Sequence, residues 1–164
     1  MQELILNSPY PIHTLRLGEA IGRIAKPGDV FLLCGELGVG KTKLTQGIAR
    51  GLDIDGYVRS PTFALISTHY GRFPLYHCDL YRLEFAEEAI DIGLEEYLVA
   101  DGISVIEWAD KAIEIFQEPY LLINISQTGK RKRTINLESR GPRYDDLLEI
   151  LETEFEQTKE NHPK

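Results

Sequence analysis

The stretch GELGVGKTKLTQGIARGL, Gly35–Leu52, constrains this chain more than any other. Gly35, Gly40, Lys41 and Thr42 fit the pattern G-x-x-x-x-G-K-[ST], and the pattern carries a mechanism. Glycines let successive backbone N–H groups turn inward around a phosphate, and a helix that starts at the end of the loop adds partial positive charge. The lysine reaches the β and γ phosphates, and the hydroxyl can ligate Mg²⁺. Such a match arises by chance in about one of 200 chains of this length, so its surroundings decide. DVFLLC, Asp29–Cys34, is a short apolar run between turn residues, as suits a strand buried on both faces. Lys41–Leu52 places Leu44, Ile48 and Leu52 on one helical face. Strand, loop and helix therefore follow in the order the motif requires. The residues expected to hold a nucleoside triphosphate are Gly35, Glu36, Leu37, Gly38, Val39, Gly40, Lys41, Thr42 and Lys43, with Lys41 catalytic and Thr42 a metal ligand.

The rest of the chain supports one domain. Its 164 residues, 43% hydrophobic and 27% charged, suffice for a single core without staples. The domain is expected over residues 1–156, with a frayed tail over 157–164. ELIL near the start reads as a strand, and Ile12 to Ile24 as a helix that stops at Pro27-Gly28. SPTFALISTHY and RFPLYHCDLYR alternate around Tyr70-Gly71 as a hairpin. Glu84–Val99 is helical in pieces broken near Gly93, and GISVIEWAD contains another buried strand. PYLLINIS and RTINLES form a second hairpin, and Tyr144–Glu156 a closing helix. This mixture predicts an α/β fold with a mixed parallel and antiparallel sheet flanked by helices. Cys34 and Cys78 lie in strand-like runs and read as buried thiols. No apolar run reaches the roughly 20 residues of a membrane span, and the start lacks the regions of a signal peptide, so a cytoplasmic location is expected. The net charge of −8 argues against an overall grip on nucleic acid. The one basic run, GKRKRT at Gly129–Thr134, reads as a solvated hairpin tip or as a docking patch for RNA or an acidic partner.

A metal ion and an attacking water call for carboxylates at the ends of neighbouring strands. Glu107 ends GISVIE and Asp79 ends RFPLYHCD; either could touch the metal through water or orient the nucleophile, and both could be ordinary strand-end acids. Thr62, in SPTF, lies where many proteins with this loop keep a γ-phosphate switch, with a plain Ser-Pro turn as the competing reading. His77, Cys78 and Asp79 are adjacent on one strand and so face alternately, which argues against a zinc site.

GELGVGKT, SPTF, HCDLYR (His77–Arg82) and VIEWAD (Val105–Asp110) form an ordered series that closely resembles the bacterial TsaE family, over about Gly18 to Asp110. The resemblance implies a P-loop ATPase that uses ATP and Mg²⁺ and serves the synthesis of threonylcarbamoyladenosine in tRNA. In that family the ATPase docks on TsaD and TsaB and meets tRNA only through that complex. It further implies that Lys41 and Thr42 hold phosphate and metal, that Thr62 belongs to the switch, and that Asp79 and Glu107 are the acidic site residues, Glu107 on the metal. Trp108 walls the site or packs in the core. Relatives commonly carry a second threonine after the loop threonine. Here that position is Lys43, which leaves Thr42 without a neighbouring hydroxyl in sequence.

Other classes fit less well. A GTPase would need Asn-Lys-x-Asp, which is absent, and DIDG at Asp53–Gly56 follows a helix instead of a buried strand. A small-molecule kinase normally needs an arginine-bearing lid, whereas the late arginines stand in GKRKRT and SRGPR at hairpin ends. A nucleotide-gated binding module with negligible hydrolysis of its own overlaps with the partner-dependent ATPase.

Overall fold

The computed structural model describes residues 2–61, 65–98 and 101–160, the last four as backbone alone. Seven strands form one sheet: β1 (Glu3–Ser8), β2 (Val30–Cys34), β3 (Ile66–Tyr70), β4 (Pro74–Asp79), β5 (Ile103–Glu107), β6 (Tyr120–Gln127) and β7 (Arg133–Arg140). Their spatial order is β1-β7-β6-β2-β5-β4-β3. β6, β2, β5 and β4 run parallel, and the outer pairs β3–β4, β6–β7 and β1–β7 are antiparallel. The fold is the expected α/β arrangement with a mixed sheet.

The five α-helices of the described residues are α1 (Pro11–Ile24), α2 (Lys41–Gly51), α3 (Glu87–Asp91), α4 (Leu94–Leu98) and α5 (Pro142–Glu160). α5 continues four residues past the expected end of the closing helix. A 3-10 segment, Ala109–Ile115, follows β5 and was not anticipated. None of these helices is long and apolar enough to cross a membrane.

Alternation along the strands builds two cores. Phe31 and Leu33 of β2, Ile103 and Val105 of β5, and Leu121 and Ile123 of β6 meet Leu17, Ile21, Leu44, Ile48, Tyr144 and Leu147 from α1, α2 and α5. Val30, Leu32 and Cys34 face the other way, toward Leu80, Ala89, Leu94, Ala109 and Phe116. All five residues of β2 are buried, as a central strand covered on both faces must be. Cys34 and Cys78 are buried free thiols.

The first core fixes α2, the helix that follows the loop. Gly18 and Gly22 of α1 face Gly47 and Gly51 of α2 so closely that a Cβ on Gly47 would lie 2.2 Å from Leu15 O and 2.8 Å from Gly18 Cα. Only glycine on both helices permits that approach. Arg72, from the β3–β4 turn, donates to Gly22 O at 3.0 Å and Gly51 O at 2.8 Å, tying the ends of both helices together.

Candidate functional site

Because β2, β4, β5 and β6 are parallel, the loop after β2, Asp79 at the end of β4, Glu107 at the end of β5 and the β6–β7 tip all emerge at one edge of the sheet. Ligands in open α/β sheets bind at this carboxyl edge. A cleft of about 550 Å³ lies there. The loop from Leu37 to Lys43 forms its floor; Asp79, Tyr81, Glu107 and Trp108 stand on the β5–β4 side, and Lys130, Arg131 and Arg133 on the β6–β7 side. Gly35 and Glu36 instead line an adjoining recess of about 300 Å³ against β6.

The loop turns into α2 at Gly40, whose φ of 120° belongs to glycine's range. Val39 is buried, and Glu36, Leu37 and Gly38 are exposed. Lys41, 5% exposed, donates from Nζ to Gly35 O at 2.5 Å and Glu36 O at 2.9 Å. Its ammonium also sits 3.8 Å from the centre of the Trp108 ring. Burial lowers its pKa from the usual lysine value, and the charges of Glu107, Asp110 and Asp79 oppose that shift. Trp108 owes its place to a left-handed backbone, φ 58°, where β5 breaks into the 3-10 segment. Its ring lies 5.0 Å from that of Tyr81, so it both walls the cleft and packs on an aromatic neighbour.

Glu107 is 2% exposed and is held on every side. Thr42 Oγ1 donates to its Oε1 at 2.8 Å. Thr45 Oγ1, which donates to Lys41 O, lies 3.5 Å from Oε2. His77 Nε2 contacts the same Oε2. Asp79 pairs with Glu107 in the strand register and accepts from Tyr81 N at 2.9 Å. Desolvation raises the Asp79 pKa above the usual carboxylate value, with the Tyr81 N–H working against it.

The loop, both acids and Trp108 thus stand together around one cleft; Thr62 lies outside the described residues. A family model described as "Threonylcarbamoyl adenosine biosynthesis protein TsaE" matches residues 9–135. The chain belongs to the TsaE family. Among the similar curated proteins, the tRNA threonylcarbamoyladenosine biosynthesis protein TsaE of Bacillus subtilis (strain 168) is 40% identical over 152 residues, covering 92% of this chain and 95% of that protein. The protein of the same name from Treponema pallidum (strain Nichols) is 37% identical over 124 residues, covering 76% and 92%. The crystal structure of Bacillus subtilis YdiB superposes with a TM-score of 0.79 at 35% identity, covering 93% of this chain and 96% of that one.

Three features of this TsaE family member escaped the sequence. Thr42 does have a neighbouring hydroxyl in space, because Ser60 Oγ lies 2.8 Å away; with Thr42 donating to Glu107, Ser60 donates to Thr42. His77 is fully buried against Glu107. The H-x-D spacing, which places His77 and Asp79 on one strand face, was the available signal. The basic tip is a hairpin end with Lys130, Arg131 and Lys132 exposed, as expected, but it does not stand apart from the site. β6 lies beside β2 and parallel to it, so the tip returns over the loop, and Arg133 Nε donates to Val39 O at 2.8 Å. The arginines of SRGPR serve other ends: Arg143 binds Asp29 at 2.8 Å where β2 begins, and Arg140 binds Glu138 at 3.0 Å.

Proposed function

We propose that this TsaE family member is a Mg²⁺-dependent ATPase that supports threonylcarbamoyladenosine synthesis in tRNA by acting on a complex of TsaD and TsaB. The observation that carries the reading is the Thr42–Glu107 hydrogen bond, 2.8 Å long, at the start of the helix behind a G-x-x-x-x-G-K-[ST] loop. It joins the hydroxyl of the loop motif to a strand-end carboxylate on the neighbouring strand, the pair of oxygen donors that a magnesium nucleotide needs. Family membership supports the pathway, and the relatives' names place them in tRNA threonylcarbamoyladenosine biosynthesis.

In this reading the loop amides and Lys41 neutralise charge on the β and γ phosphates. Thr42 and Glu107 would hold Mg²⁺, an all-oxygen donor set suited to a hard cation that keeps several waters. When bound, the ion spreads the charge that builds on the phosphate oxygens. Asp79, half-buried beside Glu107, orients the attacking water in line with the γ-phosphorus, and His77 keeps the Glu107 carboxylate from turning. Trp108 closes the wall beside the Lys41 ammonium. Thr62 is assigned to the switch from its position in SPTF.

Phosphate release from ATP by the purified chain tests the reading. Hydrolysis is expected to require Mg²⁺, to stop with EDTA, and to vanish in Lys41→Ala. An undiminished rate in Lys41→Ala would place the chemistry elsewhere.

A further inference from the structure

The β6–β7 tip carries Lys130, Arg131, Lys132 and Arg133 on a chain whose net charge is −8, and three of these four side chains line the cleft over the loop. We propose that the tip is a cationic clamp on the polyphosphate of the bound nucleotide, with Lys130 and Arg131 as the phosphate contacts and Arg133 as the strut that positions them. The proposal rests on the nucleotide-binding reading above and adds residues to it that lie outside the loop motif.

The division of labour follows from the hydrogen bonds. Arg133 is committed: its guanidinium donates to Val39 O at 2.8 Å, Lys132 O at 3.1 Å and Gly129 O at 3.5 Å. These bonds anchor the tip to the loop that cradles phosphate. The tip is closed on itself by Thr128 N donating to Lys132 O at 3.0 Å. Lys130 and Arg131 are exposed, border the cleft and, among the described residues, bind no carboxylate or carbonyl, which leaves their charge available to a ligand there.

Charge balance gives them a role. Asp79 and Glu107 stand across the same cleft, and a triphosphate entering beside two carboxylates meets repulsion that Lys41, Lys43 and a Mg²⁺ ion held as proposed above only partly offset. Two further cations on the opposite side complete the compensation, and a guanidinium suits phosphate oxygens because it can bind two at once. A volume of about 550 Å³ fits a small-molecule ligand. An RNA strand would call for a basic track extending well beyond one hairpin tip.

The test compares the full-length chain, the double variant Lys130→Ala/Arg131→Ala, the single variant Arg131→Gln and Lys41→Ala. Affinity for Mg-ATP is measured by calorimetry and affinity for tRNA by fluorescence anisotropy, and the tip is probed by limited trypsin digestion with and without Mg-ATP. Binding is expected to weaken about tenfold or more in the double variant and by less in Arg131→Gln, with thermal melting unchanged because the side chains are exposed. Saturating Mg-ATP is expected to slow cleavage after Lys130 and Arg131 several-fold in the unmodified chain. If the double variant binds Mg-ATP like the unmodified chain and the tip gains no protection, while Lys41→Ala still loses binding, the clamp is wrong and the nucleotide reading stands. Loss of tRNA binding with nucleotide affinity intact would likewise overturn the clamp in favour of an RNA contact. An unmodified chain that binds no ATP would remove both.

Discussion

Glu107 concentrates the demands of the site in one side chain: a carboxylate 2% exposed, bound by Thr42 and contacted by His77. Replacing Thr42 by Ala removes a proposed metal ligand together with that hydrogen bond. The ATPase rate is expected to fall at least about 100-fold, as for lost charge-stabilising contacts elsewhere, with Thr42→Ser retaining most of it. Near-normal hydrolysis in Thr42→Ala, measured by phosphate release, would count against Thr42 as the metal ligand. The two thiols give a pH prediction. Burial, aided by Asp110, pushes Cys34 up to about 11, and burial, aided by Asp79 and Glu107, pushes Cys78 up to about 12, from an ordinary value of 9.0. The fold therefore keeps protons that the unfolded chain loses first. The associated stability is complete below pH 9 and declines as pH rises through about 11 and 12. Urea midpoints are expected to fall across that window, and less steeply in Cys34→Ala/Cys78→Ala. At this scale the loop was legible because four residue types at fixed spacing have few other uses. Ser60 was not, because it acts through a residue distant in sequence, and for His77 the H-x-D spacing gave the strand face but not the Glu107 partner.

At the scale of elements, the site depends on how α2 is held. The crossing of α1 and α2 is set by Gly18, Gly22, Gly47 and Gly51, and a methyl on Gly47 would meet backbone at 2.2 Å. Such a contact cannot be relieved by a rotamer change. Gly47→Ala is expected to cost about 3 kcal/mol or more, the upper range for overpacking, and to shift the loop with the helix; chemical denaturation and ATP affinity both report it. β2 is fixed at its start by Val30 N donating to the Tyr144 hydroxyl at 2.8 Å. Tyr144→Phe leaves a buried N–H without a partner and is expected to cost about 1–3 kcal/mol in the same measurement. Element types were readable because β2 and β5 are short apolar runs between turn residues, and α1, α2 and α5 repeat at helical spacing. The 3-10 segment Ala109–Ile115 was not readable. Its start at a left-handed Trp108 answers a tertiary demand, the placement of an indole beside Lys41, which no local propensity encodes.

For the whole molecule, strand order does the decisive work. The order β1-β7-β6-β2-β5-β4-β3 puts β5 and β4, with their terminal acids, on one side of the loop strand and β6, with its basic tip, on the other. The cleft is therefore acidic where the metal and water are proposed to sit and cationic opposite. The composition of the two hairpins was plain in the sequence, but their order in the sheet was not, so the basic run read as a solvated tip or docking patch. The proposed role makes this arrangement useful only inside a larger cycle, in which hydrolysis at the cleft resets TsaD and TsaB for another tRNA. The most direct measurement is threonylcarbamoyladenosine formation by TsaD and TsaB, with tRNA and a threonylcarbamoyl donor in excess, with the chain absent, present, or present as Lys41→Ala. Many turnovers with the chain and ATP, and no more than about one without it or with Lys41→Ala, is the predicted result. Equal product yield in all three would contradict it.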